Sequence, residues 1–229
     1  MVIAVVGAGG KTTLSNHIGK SLTDMGRRVL FTTTTKIFMP SDGPVYLGPA
    51  ENIRVLSTFM TAAKGVLGDG KLEGYSPEDI SAITTLGLFD DIIIEADGAA
   101  RKPIKAPNET EPVYPTSVNL IVGVIGLDCL GQPANDGHVH RAALFSHVTG
   151  ADLDEPITAQ HILALITHPQ GLFRHAPDTA QRVVFLNKYD TIDGKVKLQA
   201  EYIIRRSPYT VILTGYHMDW FNSFFHRFF

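Results

Sequence analysis

The sequence has a single cysteine and no long hydrophobic segment. Cys129 cannot form an internal disulfide or a zinc site of several thiolates, which excludes a small secreted domain held together by disulfides. A membrane-spanning helix needs about 18 consecutive apolar residues, and the first apolar run, 2–6, is also too short for the hydrophobic part of a signal peptide. These absences predict a soluble cytoplasmic protein without a membrane span.

Basic residues are not in excess: 20 Lys and Arg stand against 23 Asp and Glu, which gives a formal net charge of -3. Nucleic-acid-binding proteins usually carry a basic footprint, so this balance argues against nucleic acid as a partner. Hydrophobic residues make up 44% of the 229 residues and charged residues 19%. This composition excludes a disordered chain and supplies enough apolar residues for a substantial core.

Apolar runs alternate with turn residues and helical patterns, an order typical of βα units around a mainly parallel sheet. The predicted strands are 2–6, 28–32, 53–56, 91–95, 119–125, 182–186 and 210–214. The predicted helices are 11–25, 77–88, 138–149, 159–166 and 196–205. The interval 38–75 is otherwise predicted to be an irregular insertion or flap. The whole chain, 1–229, is predicted to be one three-layer α/β domain.

The strongest motif follows the first strand and opens the first helix, and it reads Gly7-Ala8-Gly9-Gly10-Lys11-Thr12-Thr13. Glycines let backbone amides surround phosphate oxygens at a helix N-terminus, Lys11 has the reach for the β- and γ-phosphates, and the Thr12 hydroxyl is a Mg²⁺ ligand. Val5 stands where the longer G-x-x-x-x-G-K-[ST] motif has its first glycine, and the short form resembles the loop of Mur-type ligases. The motif predicts a P-loop NTPase fold that binds a nucleoside triphosphate and Mg²⁺.

A second motif, Asn187-Lys188-Tyr189-Asp190, directly follows a late strand and resembles the N-K-x-D base-recognition motif of GTPases. In that motif the aspartate accepts hydrogen bonds from guanine N1 and N2, which adenine does not offer, and the lysine stem packs over the base. The last strand ends at Thr214-Gly215, where GTPases place their other base-contacting loop. These residues favour GTP over ATP, and a polar turn at the strand end is the structural alternative.

Two carboxylates, Glu95 and Asp97, stand at the end of an otherwise apolar strand and are followed by Gly98. Beside a phosphate loop this pattern is typical of a Walker B arrangement, in which one carboxylate holds Mg²⁺ and the other positions the attacking water. In the mechanism predicted here, Thr12 and Asp97 bind Mg²⁺ and Glu95 positions the attacking water. The spacing E-x-x-G also resembles a switch segment of metallochaperone GTPases.

Cations follow these carboxylates at Arg101, Lys102 and Lys105. They are candidates for holding an anionic ligand, and Arg101 for acting on the γ-phosphate as negative charge grows in the transition state. Solvated loop cations are the alternative. Thr34 lies after the second strand, where P-loop proteins often place the first switch, and is a further Mg²⁺ candidate. β-propensity alone is the other explanation for the threonines there.

Two further segments have open interpretations. His138, His140 and Arg141 are candidates for contacts to a substrate or partner; two imidazoles one residue apart can share a metal, but no third ligand is apparent. Aromatic residues recur on one helical face between Trp220 and Phe229. Packing on the sheet, a homodimer interface and a contact to a protein partner each explain that face. A membrane-surface helix is disfavoured, because only Arg227 supplies a basic residue on its polar side.

Together these segments resemble the selenium-dependent hydroxylase accessory protein family named YqeC. The resemblance is close to full length and rests on residues 6–13, 32–37, 92–107 with its E-A-D-G-A and K-P-I-K-A-P, 139–141 and 187–190. It implies a P-loop protein that takes part in the maturation of molybdenum hydroxylases. It also implies a protein partner, either such a metallocofactor enzyme or its assembly factor.

The leading hypothesis is a Mg²⁺-dependent NTPase that favours GTP, with Lys11, Glu95, Asp97 and Arg101 as catalytic candidates and slow hydrolysis without a partner. An ATP-dependent kinase or ligase acting on a small molecule is the enzymatic alternative, motivated by the Mur-like loop and the cations of 101–105. A nucleotide-gated scaffold with little catalysis is the third hypothesis.

Overall fold

The computed structural model describes all 229 residues, which form thirteen strands and six α-helices. The strands are β1 (Val2–Gly7), β2 (Val29–Thr33), β3 (Lys36–Phe38), β4 (Val45–Leu47), β5 (Phe59–Ala63), β6 (Gly65–Val66), β7 (Lys71–Glu73), β8 (Asp91–Glu95), β9 (Ile104–Lys105), β10 (Leu120–Gly126), β11 (Val139–His140), β12 (Gln181–Asn187) and β13 (Thr210–Leu213). The helices are α1 (Lys11–Asp24), α2 (Pro77–Thr85), α3 (Ala142–Thr149), α4 (Ala159–Thr167), α5 (Gly194–Arg206) and α6 (Phe221–Phe228).

Eight strands form the central sheet in the order β13-β12-β10-β1-β8-β2-β5-β4, and every neighbouring pair is parallel. Its inner strands are apolar on both faces, as a parallel sheet covered by helices requires. Alternate residues of β1 belong to two cores: Ile3 and Val5 pack in the cluster that includes α1 and α6, whereas Ala4 and Val6 pack in the cluster that includes α2 to α5. The three-layer α/β prediction is confirmed.

The parallel arrangement fixes where ligands can bind. All eight strands end at the same edge of the sheet, and open α/β sheets bind ligands in the crevice outside those carboxyl ends. At that edge the loops after β12 and β13 lie on one side of the loop after β1, and those after β8 and β2 lie on the other.

The interval 38–75 differs from its prediction. It is not irregular: β4 and β5 extend the central sheet, and β6 and β7 form a small antiparallel sheet with β3. The predicted strand at 53–56 is wrong, because a 3₁₀ turn at Ala50–Asn52 precedes it and the chain enters the sheet only at Phe59. Short strands of two to five residues carry too little periodicity to be located from sequence.

The predicted helix 138–149 also begins later than expected. Val139 and His140 instead pair with Ile104 and Lys105 as the parallel strands β11 and β9. Arg141 then adopts a left-handed conformation with φ of 67°, and α3 begins at Ala142. The pairing brings the segment 139–141 against the segment 104–105, which is the basis of a charged chain described below.

The aromatic face of α6 packs against the central sheet of the same chain. The Trp220 and Phe224 rings meet the Phe185 ring of β12 edge-on, with centroids 5.2 and 5.3 Å apart, and both side chains are buried. This is the packing that the sheet-covering interpretation predicts. No helix in the structure is both long enough and apolar enough to cross a membrane.

Candidate nucleotide-binding site

The phosphate loop connects β1 to α1 and depends on its glycines. Gly7, Gly9 and Gly10 have φ values of 91°, 88° and 124°, a region that glycine adopts without steric cost. A Cβ atom on Gly9 would lie 2.3 Å from the Gly126 amide nitrogen, so the loop packs too closely for any side chain there. The loop turns directly into α1, whose first amides are the donors that a helix leaves unpaired at its N-terminus.

Lys11 lies at the centre of this loop with 4% of its surface exposed. Its Nζ donates to the Gly7 carbonyl at 2.9 Å and lies 2.9 Å from Asp97 Oδ1 and 3.6 Å from Glu95 Oε1. Burial alone would lower the pKa of Lys11, but the two carboxylates outweigh it and raise that pKa. The ammonium therefore stays charged where the loop would receive phosphate.

Glu95 and Thr12 face each other at the cavity. The Thr12 hydroxyl donates to Glu95 Oε2 at 2.8 Å, and both residues line the cavity. Burial raises the pKa of Glu95 despite the opposing effects of Lys11 and Thr12. A hydroxyl and a carboxylate beside phosphate oxygens form the hard oxygen donor set that Mg²⁺ prefers, so this pair fits the ion.

Asp97 does not match the magnesium role predicted for it. It is 1% exposed and does not line the cavity. Its Oδ2 accepts from the Gly7 amide at 3.0 Å and lies 2.9 Å from Lys105 Nζ, while its Oδ1 faces Lys11. Oδ2 is thus occupied by an amide and a cation, whereas Oδ1 is ion-paired with Lys11 but accepts no well-aligned hydrogen bond, so the main contact of Asp97 at the loop is to the loop lysine. Thr34 does line the cavity, and its hydroxyl donates to the Val113 carbonyl at 2.8 Å.

A chain of alternating charges continues from Asp97 away from the loop. Lys105, 1% exposed, lies 3.1 Å from Glu111 Oε2, and that oxygen accepts from Arg141 Nη2 at 2.8 Å. Burial opposes ionisation of Glu111, but Lys105 and Arg141 outweigh it and lower its pKa. The order is Lys11, Asp97, Lys105, Glu111, Arg141, which we call the charged chain. Lys105 is thus not a solvated loop cation, the alternative considered for it from sequence.

Glu111 is the member of the charged chain that the sequence interpretation missed. Its Oε1 also accepts from the Gly98 amide at 3.3 Å, so it fixes the turn after β8 as well. The available signal was electrostatic: a segment carrying Lys102, Lys105 and Arg101 needs acidic partners if any of these cations is buried. Nothing in the spacing selects Glu111 over its neighbour Glu109.

The late motif and the last strand meet beside the phosphate loop. Asn187 Nδ2 donates to the Gly9 carbonyl at 2.8 Å, and Asn187 Oδ1 accepts from the Thr214 hydroxyl at 3.0 Å. Asp190 Oδ2 accepts from the His217 amide at 2.9 Å, while Asp190 Oδ1 is buried without a hydrogen-bond partner. A Cβ on Gly215 would lie 2.3 Å from that oxygen, so Gly215 packs directly against the Asp190 carboxylate, and neither residue lines the cavity that contains the phosphate loop.

Lys188 and Lys102 are held at the two sides of the loop. Lys188 has a φ of 67° and its Nζ lies 2.6 Å from Asp128 Oδ2, whereas Lys102 Nζ donates to the Gly137 carbonyl at 2.8 Å. Both residues line one cavity of about 1090 Å³ that also contains residues 8–13. The backbone amides of Ala8 and Gly9 donate hydrogen bonds to the carbonyls of Val124 and Lys102, which fixes this part of the loop.

The two histidines lie outside this cavity. His138 Nδ1 is 3.3 Å from Asn135 Oδ1, and His140 is half-buried in β11, where burial and then Arg141 lower its pKa. No group of three or more His, Cys, Asp or Glu side chains in the structure is arranged to hold a metal. Of this segment, Arg141 makes the contact to the charged chain.

The profile of the YqeC protein family matches residues 3–143. The YqeC protein of Escherichia coli (strain K12) is 37% identical over 203 residues, which are 85% of this chain and 78% of that protein. The chain belongs to the YqeC family. The residues that match the YqeC profile include the phosphate loop, Glu95 and the whole charged chain, whereas Asn187 to Asp190 lie beyond them.

Among solved structures, a chain of the MinC:MinD cell division protein complex of Aquifex aeolicus has a TM-score of 0.46 and 16% identity, over 93% of this chain and 80% of that chain. Nucleotide binding is indicated by this chain's own geometry. A glycine loop between a central parallel strand and a helix, with a buried lysine and an adjacent hydroxyl and carboxylate, makes this YqeC-family member a nucleotide-binding protein of the P-loop NTPase type.

Proposed function

We propose that the protein is a Mg²⁺-dependent nucleoside triphosphatase that prefers GTP, with water attacking the γ-phosphate. The observation that carries the proposal is the Lys11 ammonium, held charged inside a glycine loop and 2.9 Å from Asp97. Phosphoryl transfer needs little covalent chemistry from a protein, because positioning and charge stabilisation account for most of the catalysis.

Each side chain has a distinct part in this mechanism. The amides that open α1 bind phosphate oxygens, and Lys11 stabilises the charge that grows on the β- and γ-phosphates. Mg²⁺, when bound, neutralises phosphate oxygens, and Thr12 with Glu95 would hold it. Glu95 thereby takes the metal role first predicted for Asp97. Asp97 is a positioning residue that keeps Lys11 aimed at the loop.

A magnesium titration tests the role of Glu95. Glu95→Gln keeps an oxygen that accepts from Thr12 and removes the charge that binds the metal. We expect the variant to lose most of the Mg²⁺-dependent gain in nucleotide affinity and to keep the wild-type affinity measured with EDTA. Glu73→Gln, at an exposed carboxylate lining the same cavity, is the matched control and should respond to Mg²⁺ like wild type. A full Mg²⁺ response in Glu95→Gln would remove Glu95 from the metal site.

The preference for GTP is proposed from Asp190. Its Oδ1 is a buried acceptor without a partner, and leaving such a group unpaired is costly. Guanine N1 and N2 supply donors for that oxygen, whereas adenine presents none at these positions. Asn187 supports the same arrangement, because it ties the phosphate loop to the base side through Gly9.

Calorimetric titration with non-hydrolysable GTP and ATP analogues tests the preference. Asp190→Asn should weaken binding of the GTP analogue by about 1.5–3 kcal/mol, roughly 10- to 150-fold in Kd, because a charged acceptor is lost. Affinity for the ATP analogue should stay unchanged. Asp178→Asn, at a fully exposed aspartate, is the control. Equal losses for both nucleotides would mean that Asp190 does not read the base.

The process served by the nucleotide is proposed from the family resemblance. We propose that the cycle supports maturation of molybdenum hydroxylases, with such an enzyme or its assembly factor as the protein partner. Hydroxylase activity in cells lacking this protein tests the idea, because wild-type protein should restore it and Lys11→Ala should not. Full activity without the protein would contradict the role.

A further inference from the structure

The cavity extends well beyond the phosphate loop, and its far end is chemically different from the rest. Nucleotide bound as proposed places its base beside Lys188, on the side of β12 and β13. The opposite end lies past Thr34 and is formed by the small sheet of β3 and β7 together with residues 98–102. This end is on the side of β8 and β2, opposite the side of β12 and β13 where the base is proposed to lie.

An aromatic ring lies open at this far end. Phe38 is 56% exposed and lines the cavity, although its neighbour Ile37 is buried. The Arg101 guanidinium carbon lies 4.7 Å from the centroid of the Phe38 ring, and Lys71 Nζ lies 5.4 Å from it. Lys71 is paired with Asp69 at 2.9 Å, so the exposed ring offers a stacking surface beside the unpaired charge of Arg101.

Arg101 has no acidic partner. It donates no hydrogen bond to a carboxylate or carbonyl, in contrast to the paired cations Lys11, Lys105 and Arg141. The backbone that presents it is strained: Ala100 and Arg101 have successive φ values of 47° and 60°, a left-handed conformation that costs energy for residues other than glycine. Strain of this kind is typical of positions that serve a ligand.

The charge of the cavity is opposite to that of the protein. Six lysines and arginines line it against three glutamates, in a chain with a net charge of -3. Three of the six, Lys11, Lys71 and Lys188, are ion-paired with aspartates outside the lining, so the unpaired charge is concentrated at Lys36, Arg101 and Lys102. Lys36, exposed and without a hydrogen bond or ion pair, adds to the cations near Phe38. A site of this charge concentrates anions. In the proposed nucleotide complex the phosphates lie at the loop end and leave the cations at the far end free.

We propose that the far end is a second binding site, for a small molecule that joins a planar ring to an anionic group. The ring stacks on Phe38, and the anionic group binds Arg101 with support from Lys36. This inference rests on the proposed function, since nucleotide must fill the loop end for the ligand to lie beside the γ-phosphate. It gives the protein two substrates or a substrate and an effector in one cavity.

Flavin mononucleotide and riboflavin are suitable probes, because they share one fluorescent planar ring and differ by a phosphate. Each is titrated by fluorescence anisotropy against protein with and without a saturating Mg²⁺-bound, non-hydrolysable GTP analogue. We expect flavin mononucleotide to bind the nucleotide-loaded protein at least tenfold more tightly than riboflavin does. Absence of flavin mononucleotide binding to the loaded protein would overturn the proposal.

Three variants separate the contacts. Phe38→Leu should weaken the binding of both flavins by about tenfold. Arg101→Gln should lower the affinity for flavin mononucleotide to that for riboflavin. Arg206→Gln removes a cation over an aromatic ring outside the cavity, that of Tyr202, and should change neither. All three should keep wild-type affinity for the GTP analogue.

The outcomes distinguish this site from the proposed nucleotide site. If Arg101→Gln slows GTP hydrolysis but leaves flavin mononucleotide affinity unchanged, Arg101 acts on the γ-phosphate and the second site is overturned. Loss of flavin binding on addition of the GTP analogue would likewise overturn it, because the probe then occupies the loop end. Flavin binding that depends on Phe38, with no calorimetric signal for any nucleotide, would instead contradict the proposed NTPase function.

Discussion

Lys11→Ala is expected to abolish measurable tight binding of Mg²⁺-bound nucleoside triphosphates. A charge-assisted hydrogen bond contributes about 1.5–3 kcal/mol, and Lys11 is placed to make such bonds to more than one phosphate. We therefore expect a loss of at least about 100-fold in affinity, for GTP and ATP analogues alike. Isothermal calorimetry measures it. Lys20→Ala, at an exposed lysine on the same helix, is the control and should bind like wild type.

The variant should remain folded, which keeps the result interpretable. Without Lys11, Asp97 still pairs with Lys105 at 2.9 Å and accepts from the Gly7 amide, so its buried charge is not left alone. Thermal unfolding of the variant checks this point. A folded Lys11→Ala protein with unchanged affinity would show that the loop does not hold the phosphates and would contradict the proposed function.

The parts of the fold predicted correctly share one physical feature, a long apolar run. The strands around the loop, β1, β8, β10 and β12, are buried on both faces and read as almost continuous apolar segments. Local signals also marked α2, where Ser76 caps the helix and exchanges hydrogen bonds with Asp79. Such elements are specified by their own residues, so sequence patterns locate them.

The parts missed are elements that their partners specify. Val45–Leu47 is half exposed and three residues long, and only its pairing with β5 makes it a strand. Val139 and His140 are extended because Ile104 and Lys105 lie beside them, 35 residues earlier in the chain. No local pattern encodes such a pairing, because the hydrogen bonds that stabilise it come from a distant segment.

The candidate site is also only partly specified by local sequence. The phosphate loop and the two carboxylates could be predicted from sequence, because the residues that define each motif are contiguous. Their roles could not, since Glu95 and Asp97 are two residues apart and alternation alone would place them on one face. The turn after β8 instead directs Asp97 under the loop to Gly7 and leaves Glu95 at the cavity with Thr12.

Lys105→Met should produce the largest loss of stability among single changes in the charged chain. Removing one partner of a buried ion pair costs about 3–5 kcal/mol when the remaining charge stays buried without compensation. Asp97 keeps Lys11 and Glu111 keeps Arg141 in this variant, so we expect a loss near the lower end, about 3 kcal/mol. Here two carboxylates lose a partner, Asp97 and Glu111. Total stabilities of about 5–15 kcal/mol make this a large share, and urea unfolding measures it.

A matched variant and a cycle identify the cause of that loss. Lys102→Met, three residues away and bonded only to the Gly137 carbonyl, should cost about 1 kcal/mol or less. Adding Glu111→Gln to Lys105→Met should cost less than the sum of the two single changes, because each removes the same interaction. Additive losses would mean that Lys105 and Glu111 are independent. Coupling between them would tie the segment 139–141 energetically to Asp97 and, through it, to the lysine of the phosphate loop.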